Sequence, residues 1–213
     1  MIIALVNQKG GCAKSVTSVH LAYWLREQEY SVRLIDADAQ QTSSIWCEAL
    51  DEPIDAIALS NPDDVLEQLP ILKKDVDYLI VDGPAGLSEI TRSILLRTDF
   101  ALVPCQPTGV DLRSAADALR LIAQAQSVRG GPPQAAVFLS RAVKGTRLLN
   151  EARELLEERQ VDVLDSIIYQ RQAVADTFGQ DAVIWQLSGK GAKDSGKEFA
   201  ALFDEVMGEI AHG

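Results

Sequence analysis

Gln8-Lys9-Gly10-Gly11-Cys12-Ala13-Lys14-Ser15 follows directly on the apolar run Ile2-Ile3-Ala4-Leu5-Val6. Glycines followed by lysine and a hydroxyl, set between a strand and a helical stretch, are the residue types that grip phosphate. Consecutive backbone N–H groups and the positive end of the next helix converge on the anion, the lysine adds a point charge, and the hydroxyl holds Mg²⁺. Laid on the pattern G-x-x-x-x-G-K-[ST], the chain has Gln8 and Ala13 at the outer glycine positions. Ala13 is strained by roughly 1 kcal/mol if the loop needs a positive φ there. Lys9 stands five residues before Lys14, and two lysines around Gly-Gly suggest a nucleotide phosphate gripped twice.

Two further segments carry acids. Val32 to Ile35 is an apolar strand ending in Asp36-Ala37-Asp38-Ala39-Gln40, and carboxylates spaced by two point to the same side of an extended chain. Val76-Asp77-Tyr78-Leu79-Ile80-Val81 delivers Asp82 into the turn Gly83-Pro84-Ala85-Gly86. Ligands of parallel sheets sit at the carboxyl ends of strands, where all three motifs place their chemistry. Mg²⁺ on a nucleotide takes one or two carboxylates, and an attacking water needs a group to orient it.

The elements that must position these residues alternate regularly. Apolar strands read at 1–7, 31–36, 54–60, 76–82, 99–104, 135–140 and 163–168. Helical patterns read at 14–28, 42–50, 62–69, 87–97, 111–127 and 146–159, with a last helix from about 194. This alternation predicts an α/β fold with a mostly parallel, twisted sheet and helices on both faces, as one domain over 1–213, and the phosphate-gripping loop after the first strand makes that fold a P-loop NTPase. Val19, Ala22, Tyr23 and Leu25 give the first helix its core-facing stripe. In the last helix Phe199, Leu202, Phe203, Val206 and Ile210 share one face, with Glu198, Asp204, Glu205 and Glu209 on the polar side. An anionic membrane repels such a face, so this helix is expected to close the core. His20 is expected to be structural and His212 to lie in a loose terminus.

Composition bounds the rest. A chain of 213 residues that is 47% hydrophobic can bury a sizeable core, and no apolar run approaches the ~18 residues of a membrane span. Cys12, Cys47 and Cys105 have no metal-ligand spacing and fit a reducing compartment. The net charge of −11 opposes nucleic-acid binding, yet basic residues cluster at Arg141, Lys144 and Arg147 and again at Lys190, Lys193 and Lys197.

The chain resembles the ParA/MinD branch of deviant Walker A P-loop ATPases, and above all the small ParA-type (ParF-like) partition ATPases. The resemblance rests on Lys9-Gly10-Gly11-x-x-Lys14-Ser15, Asp36-x-Asp38-x-Gln40 and Ile80 to Gly86, and continues through Pro104-x-x-Pro107, Leu139-Ser140-Arg141 and Gln170-Arg171-Gln172. It departs at Ala13, where the family usually has glycine. The resemblance implies ATP and Mg²⁺ as cofactors. Residues Gly10 to Val16 then cradle the phosphates, Lys14 binds the β/γ-phosphates, and Pro107 and Asp111 border the base. Ser15 ligates Mg²⁺, with Asp36 and Asp82 in its outer shell. Asp38 acts on the water, and Lys9 reaches the partner subunit's ATP.

It further implies a slow ATPase, cytoplasmic and nucleoid-associated, that forms a homodimer with ATP, binds nonspecific DNA and is reset by an adaptor protein stimulating hydrolysis. Arg141, Lys144, Arg147, Arg171, Lys190, Lys193 and Lys197 are the candidate DNA contacts, and no membrane partner is expected. Plasmid, chromosome and protein-organelle cargo are not distinguished. The alternatives are a metabolic synthetase of the dethiobiotin type, in which Lys9 has no evident task, and a MinD-like membrane-cycling regulator, which the acidic last helix disfavours.

Overall fold

A computed structural model describes residues 1–86, 88–158 and 162–212. Its strands are β1 (Ile2–Asn7), β2 (Val32–Asp36), β3 (Ala56–Ala58), β4 (Tyr78–Ala85), β5 (Phe100–Cys105), β6 (Gln134–Ala142) and β7 (Val163–Tyr169). The helices are α1 (Lys14–Glu27), α2 (Thr42–Ala49), α3 (Pro62–Leu72), α4 (Glu89–Leu95), α5 (Gly109–Arg129), α6 (Arg147–Glu157), α7 (Gln172–Gly179) and α8 (Lys190–His212). The seven strands form one sheet in the order β3-β2-β4-β1-β5-β6-β7. Every pairing among the described residues is parallel, which sharpens the mostly parallel sheet expected.

Strand alternation divides the apolar residues between two cores. From β1, Ile2, Ala4 and Val6 face the side of α3, α4, α5 and α6, while Ile3 and Leu5 face α1, α2 and α8. All of β1 is buried, as a central strand covered on both faces must be. Phe199, Leu202, Phe203 and Val206 of α8 are fully buried, so its apolar face closes the second core as expected.

His20 confirms its structural reading. It is fully buried against Phe199, at 4.6 Å between ring centroids, and against Trp46 and Trp185. Its Nδ1 lies 2.7 Å from the Val16 carbonyl, and Nε2 accepts from the Ile184 N–H at 3.0 Å. That leaves a neutral imidazole donating from Nδ1, and burial lowers its pKa to about 4.

Two elements differ from expectation. Residues 172–179 form α7, which the hydropathy pattern did not announce. The last helix begins at Lys190 and runs through His212, so the terminus is ordered to that point. The expected helix limits at 87 and 159 fall on residues outside those described.

Candidate functional site

Asn7, at the end of β1, fixes where the loop starts. Its Nδ2 donates to the Pro104 carbonyl at 2.6 Å, and its Oδ1 accepts from Ser114 Oγ at 2.8 Å and from the Lys9 N–H at 3.2 Å. The chain then arches to α1 with Gly11 at φ 75° and Ala13 at φ 77°. Alanine therefore stands in the left-handed region, the strain its position predicted. Lys14 is buried and its ammonium reaches back across the arch to the Lys9 carbonyl at 3.1 Å. Cys12 turns its thiol inward to the same carbonyl.

The acids converge on this loop through the register of the sheet, in which Asp36 pairs directly with Asp82 across β2 and β4. Asp36 is fully buried and accepts from the Asp38 N–H at 3.0 Å and the Ser44 N–H at 2.8 Å, which ties the start of α2 to the end of β2. Asp82 is fully buried as well. Its Oδ1 accepts from Ser18 Oγ at 3.2 Å, and its Oδ2 has no partner among the described residues. Burial pushes this carboxyl up to about 6, against the neighbouring hydroxyls of Ser15 and Ser43. A buried carboxylate oxygen without a donor, beside the loop hydroxyl, fits a hard cation that brings its own water and phosphate oxygens. Asp38 lies further out and joins two loops, Oδ1 accepting from the Gln40 N–H at 2.9 Å and Oδ2 from the Ala85 N–H at 3.2 Å.

Between these groups lies a cleft of about 560 Å³. Gly10, Gly11, Ala13, Lys14, Ser15, Val16 and Asp38 form one wall, and Ile168 to Gln172 with Val174 and Ala175 form the other. The second wall is what sequence reading under-used, since it depends on α7. Lys9, Cys12 and Pro107 do not line the cleft. Pro107 is buried at the foot of α5, where Thr108 caps the helix by accepting from the Asp111 N–H. Asp111 is also buried and binds Lys9 instead.

The seven expected DNA residues part company. Arg171 forks onto Glu198, with Nη2 at 2.6 Å from Oε1. Arg147 pairs with Glu151 at 2.5 Å. Arg141 donates from Nη1 to the Gly11 carbonyl at 2.8 Å and lines the cleft. Lys144 is exposed. Lys190, Lys193 and Lys197 are all exposed, and the early start of α8 sets them at helical spacing along one stripe.

A parallel sheet whose first strand ends in this loop, with one acid at the end of the adjacent β4 and another at the end of β2 next to it, defines a P-loop nucleotide-binding protein. The chain belongs to the CobQ/CobB/MinD/ParA nucleotide binding domain family, which matches residues 3–183. It is 26% identical to Maintenance of carboxysome distribution protein A from Halothiobacillus neapolitanus over 211 residues, covering 96% of this chain and 95% of the relative. It is also 26% identical to Protein ParA of Rhizobium radiobacter over 182 residues, 83% of this chain and 82% of the relative. The structure of a Cyanothece McdA(D38A)–ATP complex superposes with a TM-score of 0.80 at 15% identity, over 96% of this chain and 95% of the other. The ParA/MinD-type fold expected from the residues is the fold observed. No helix among the described residues is long and apolar enough to cross a membrane.

Proposed function

We propose that the protein is a partition or positioning ATPase that dimerises on ATP, binds nonspecific DNA as the dimer, and is returned to the unbound state when an adaptor stimulates hydrolysis. The observation that carries this reading is the separation of the two loop lysines. Lys14 is buried inside the arch and reaches across it, whereas Lys9 stands at its outer lip on Asp111. One cation suffices to bind a nucleotide; the second lies outside the cleft, where it neutralises the buried Asp111 in the free subunit, and a task across an interface is open to it once it leaves that acid.

In this reading Lys14 holds the β/γ-phosphates and Ser15 ligates Mg²⁺, with Asp36 and Asp82 behind its water shell. Mg²⁺ neutralises the charge of the transferring phosphoryl group. Asp38 orients the attacking water, for which it is suited by being braced on Gln40 and Ala85 and not on the loop. Support for DNA binding comes from the Lys190, Lys193 and Lys197 stripe, doubled in a dimer, on a chain whose net charge is −11.

Gel shift with ATP and with ADP, over a salt series, tests the proposal. ATP-dependent shifting should weaken by about −0.9 log units per log unit of salt for each phosphate neutralised. Replacing Lys190, Lys193 and Lys197 by Glu should remove it while basal ATP turnover persists. Absence of any shift by the wild type with ATP at low salt refutes the DNA-based cycle.

A further inference from the structure

Two successive carbonyls of the loop are held by side chains from the ends of β5 and β6. The Gly11 carbonyl accepts from Gln106 Nε2 at 2.9 Å and from Arg141 Nη1 at 2.8 Å. The Cys12 carbonyl accepts from Ser140 Oγ at 2.9 Å. In a planar trans peptide the C=O and the following N–H point in opposite directions. Turning the Gly11 and Cys12 carbonyls toward β5 and β6 therefore turns the Cys12 and Ala13 N–H groups away from those strands, between two residues, Gly11 and Ala13, that line the cleft.

This arrangement has a visible backbone cost. Consecutive side chains of a regular strand point to opposite faces, so Ser140 and Arg141 could not both address one loop. Here the β6–β7 register shifts between Leu139 and Ala142, and Arg141 adopts φ 49°, a left-handed conformation that a non-glycine residue keeps only when its surroundings enforce it. Arg141 also has no carboxylate within ion-pair distance among the described residues, unlike Arg147 and Arg171.

We infer that Gln106, Ser140 and Arg141 are positioning residues that preset the loop amides for the polyphosphate of a nucleotide, and that Arg141 serves this task and not a DNA surface. Gln106 and Arg141 share one acceptor, so each is a partial substitute for the other. The inference rests on residues 8–15 being the phosphate-binding loop.

A double-mutant cycle of Gln106→Ala and Arg141→Ala tests it, read by calorimetric titration with inorganic pyrophosphate and with ADP·Mg²⁺. Each single variant should lose about threefold in affinity and the pair about 30-fold or more, beyond the product of the singles, because only the pair frees the carbonyl. Both ligands should lose affinity in parallel, while the unfolding temperature without ligand stays near that of the wild type. In the Gln106→Ala background, Arg141→Lys, which keeps a donor, should stay near the roughly threefold loss of Gln106→Ala alone. A double variant that binds both ligands as the wild type does overturns the inference, as does a loss confined to ADP, which would place the side chains at the base or ribose. Loss of DNA shifting with pyrophosphate affinity intact also overturns it. A wild type that binds neither ligand refutes the loop reading itself, and the inference with it.

Discussion

Lys9 Nζ lies 2.8 Å from Asp111 Oδ2, across 102 positions of sequence, and the carboxylate it neutralises is fully buried. Thr108 Oγ1 also donates to that oxygen, while Asp111 Oδ1 has no partner among the described residues. A lysine that is to reach a second subunit must first leave this acid. Asp111→Asn is therefore expected to strengthen ATP-dependent self-association, measured by light scattering. Lys9→Ala strands a buried charge and should cost about 2 kcal/mol in denaturant unfolding, most of it recovered in the Lys9→Ala/Asp111→Asn pair. Unchanged association in Asp111→Asn would show that the ion pair holds nothing in check.

Lys14→Gln should abolish ATP·Mg²⁺ binding in calorimetric titration. The side chain is buried and, among the described residues, has only a backbone carbonyl to bind, so its charge awaits an anion. Wild-type affinity in this variant would remove the loop from the mechanism.

Asp38→Ala should keep ATP binding and lose phosphate release, accumulating an ATP-bound dimer. Its carboxylate braces the loops after β2 and β4 and leaves the phosphate-gripping groups untouched. If turnover survives, the water is oriented by another group, with Asp36 the next to examine.

Ala13→Gly should leave stability unchanged or raise it by up to about 1 kcal/mol, since relief of the left-handed strain at φ 77° is offset by the greater freedom of glycine in the unfolded chain. A loss above about 1 kcal/mol in denaturant unfolding would mean that the methyl group packs usefully in the loop.

The pH dependence follows from two buried groups of opposite sign. His20 falls from 6.5 to about 4, so the unfolded chain binds the extra proton and stability rises with pH across that window. Asp82 rises from 3.8 to about 6, so the native state binds the extra proton and stability falls as pH climbs through nearly the same window. The two oppose each other, and the ligand-free protein should show a shallow profile between pH 4 and 6.5. His20→Gln should unmask Asp82, giving stability that declines as pH rises toward 6, whereas adding Asp82→Asn should flatten it. Thermal unfolding across this range decides the matter, and a His20→Gln profile still rising with pH would contradict the assignment.

Seven strands, the loop and its acids were legible because each is a local pattern: an apolar run ending in its chemistry. What escaped depends on residues distant in sequence. Helix α7 has only eight residues, with Val174 and Phe178 as one apolar pair four apart, too short a signal for periodicity. The last helix was expected from about 194, and it begins at Lys190 with Gly191 and Gly196 inside it. In the fold Gly196 permits a close contact, for a Cβ there would lie 3.1 Å from the Trp185 ring, whereas one on Gly191 would meet Ala173 at an ordinary 3.7 Å. Pro107 and Asp111, expected beside a base, are both buried at the start of α5, where Thr108 caps the helix. The Lys9–Asp111 pair and the hold of β6 on the loop had no sequence signature.

The acidic side of α8 is more than a solvated face. Glu205 accepts from the Asp165 and Ser166 N–H groups at 2.6 and 2.9 Å, and Glu198 accepts from the Tyr169 N–H at 3.3 Å. These amides belong to β7, the outermost strand of the sheet, and no further strand covers them. Two carboxylates thus occupy the donors that an incoming strand would use, and an unpaired edge is a template for joining one molecule to the next. The terminal helix therefore acts as a stop against end-to-end sheet growth, so that any polymer this protein forms must be built through its other faces.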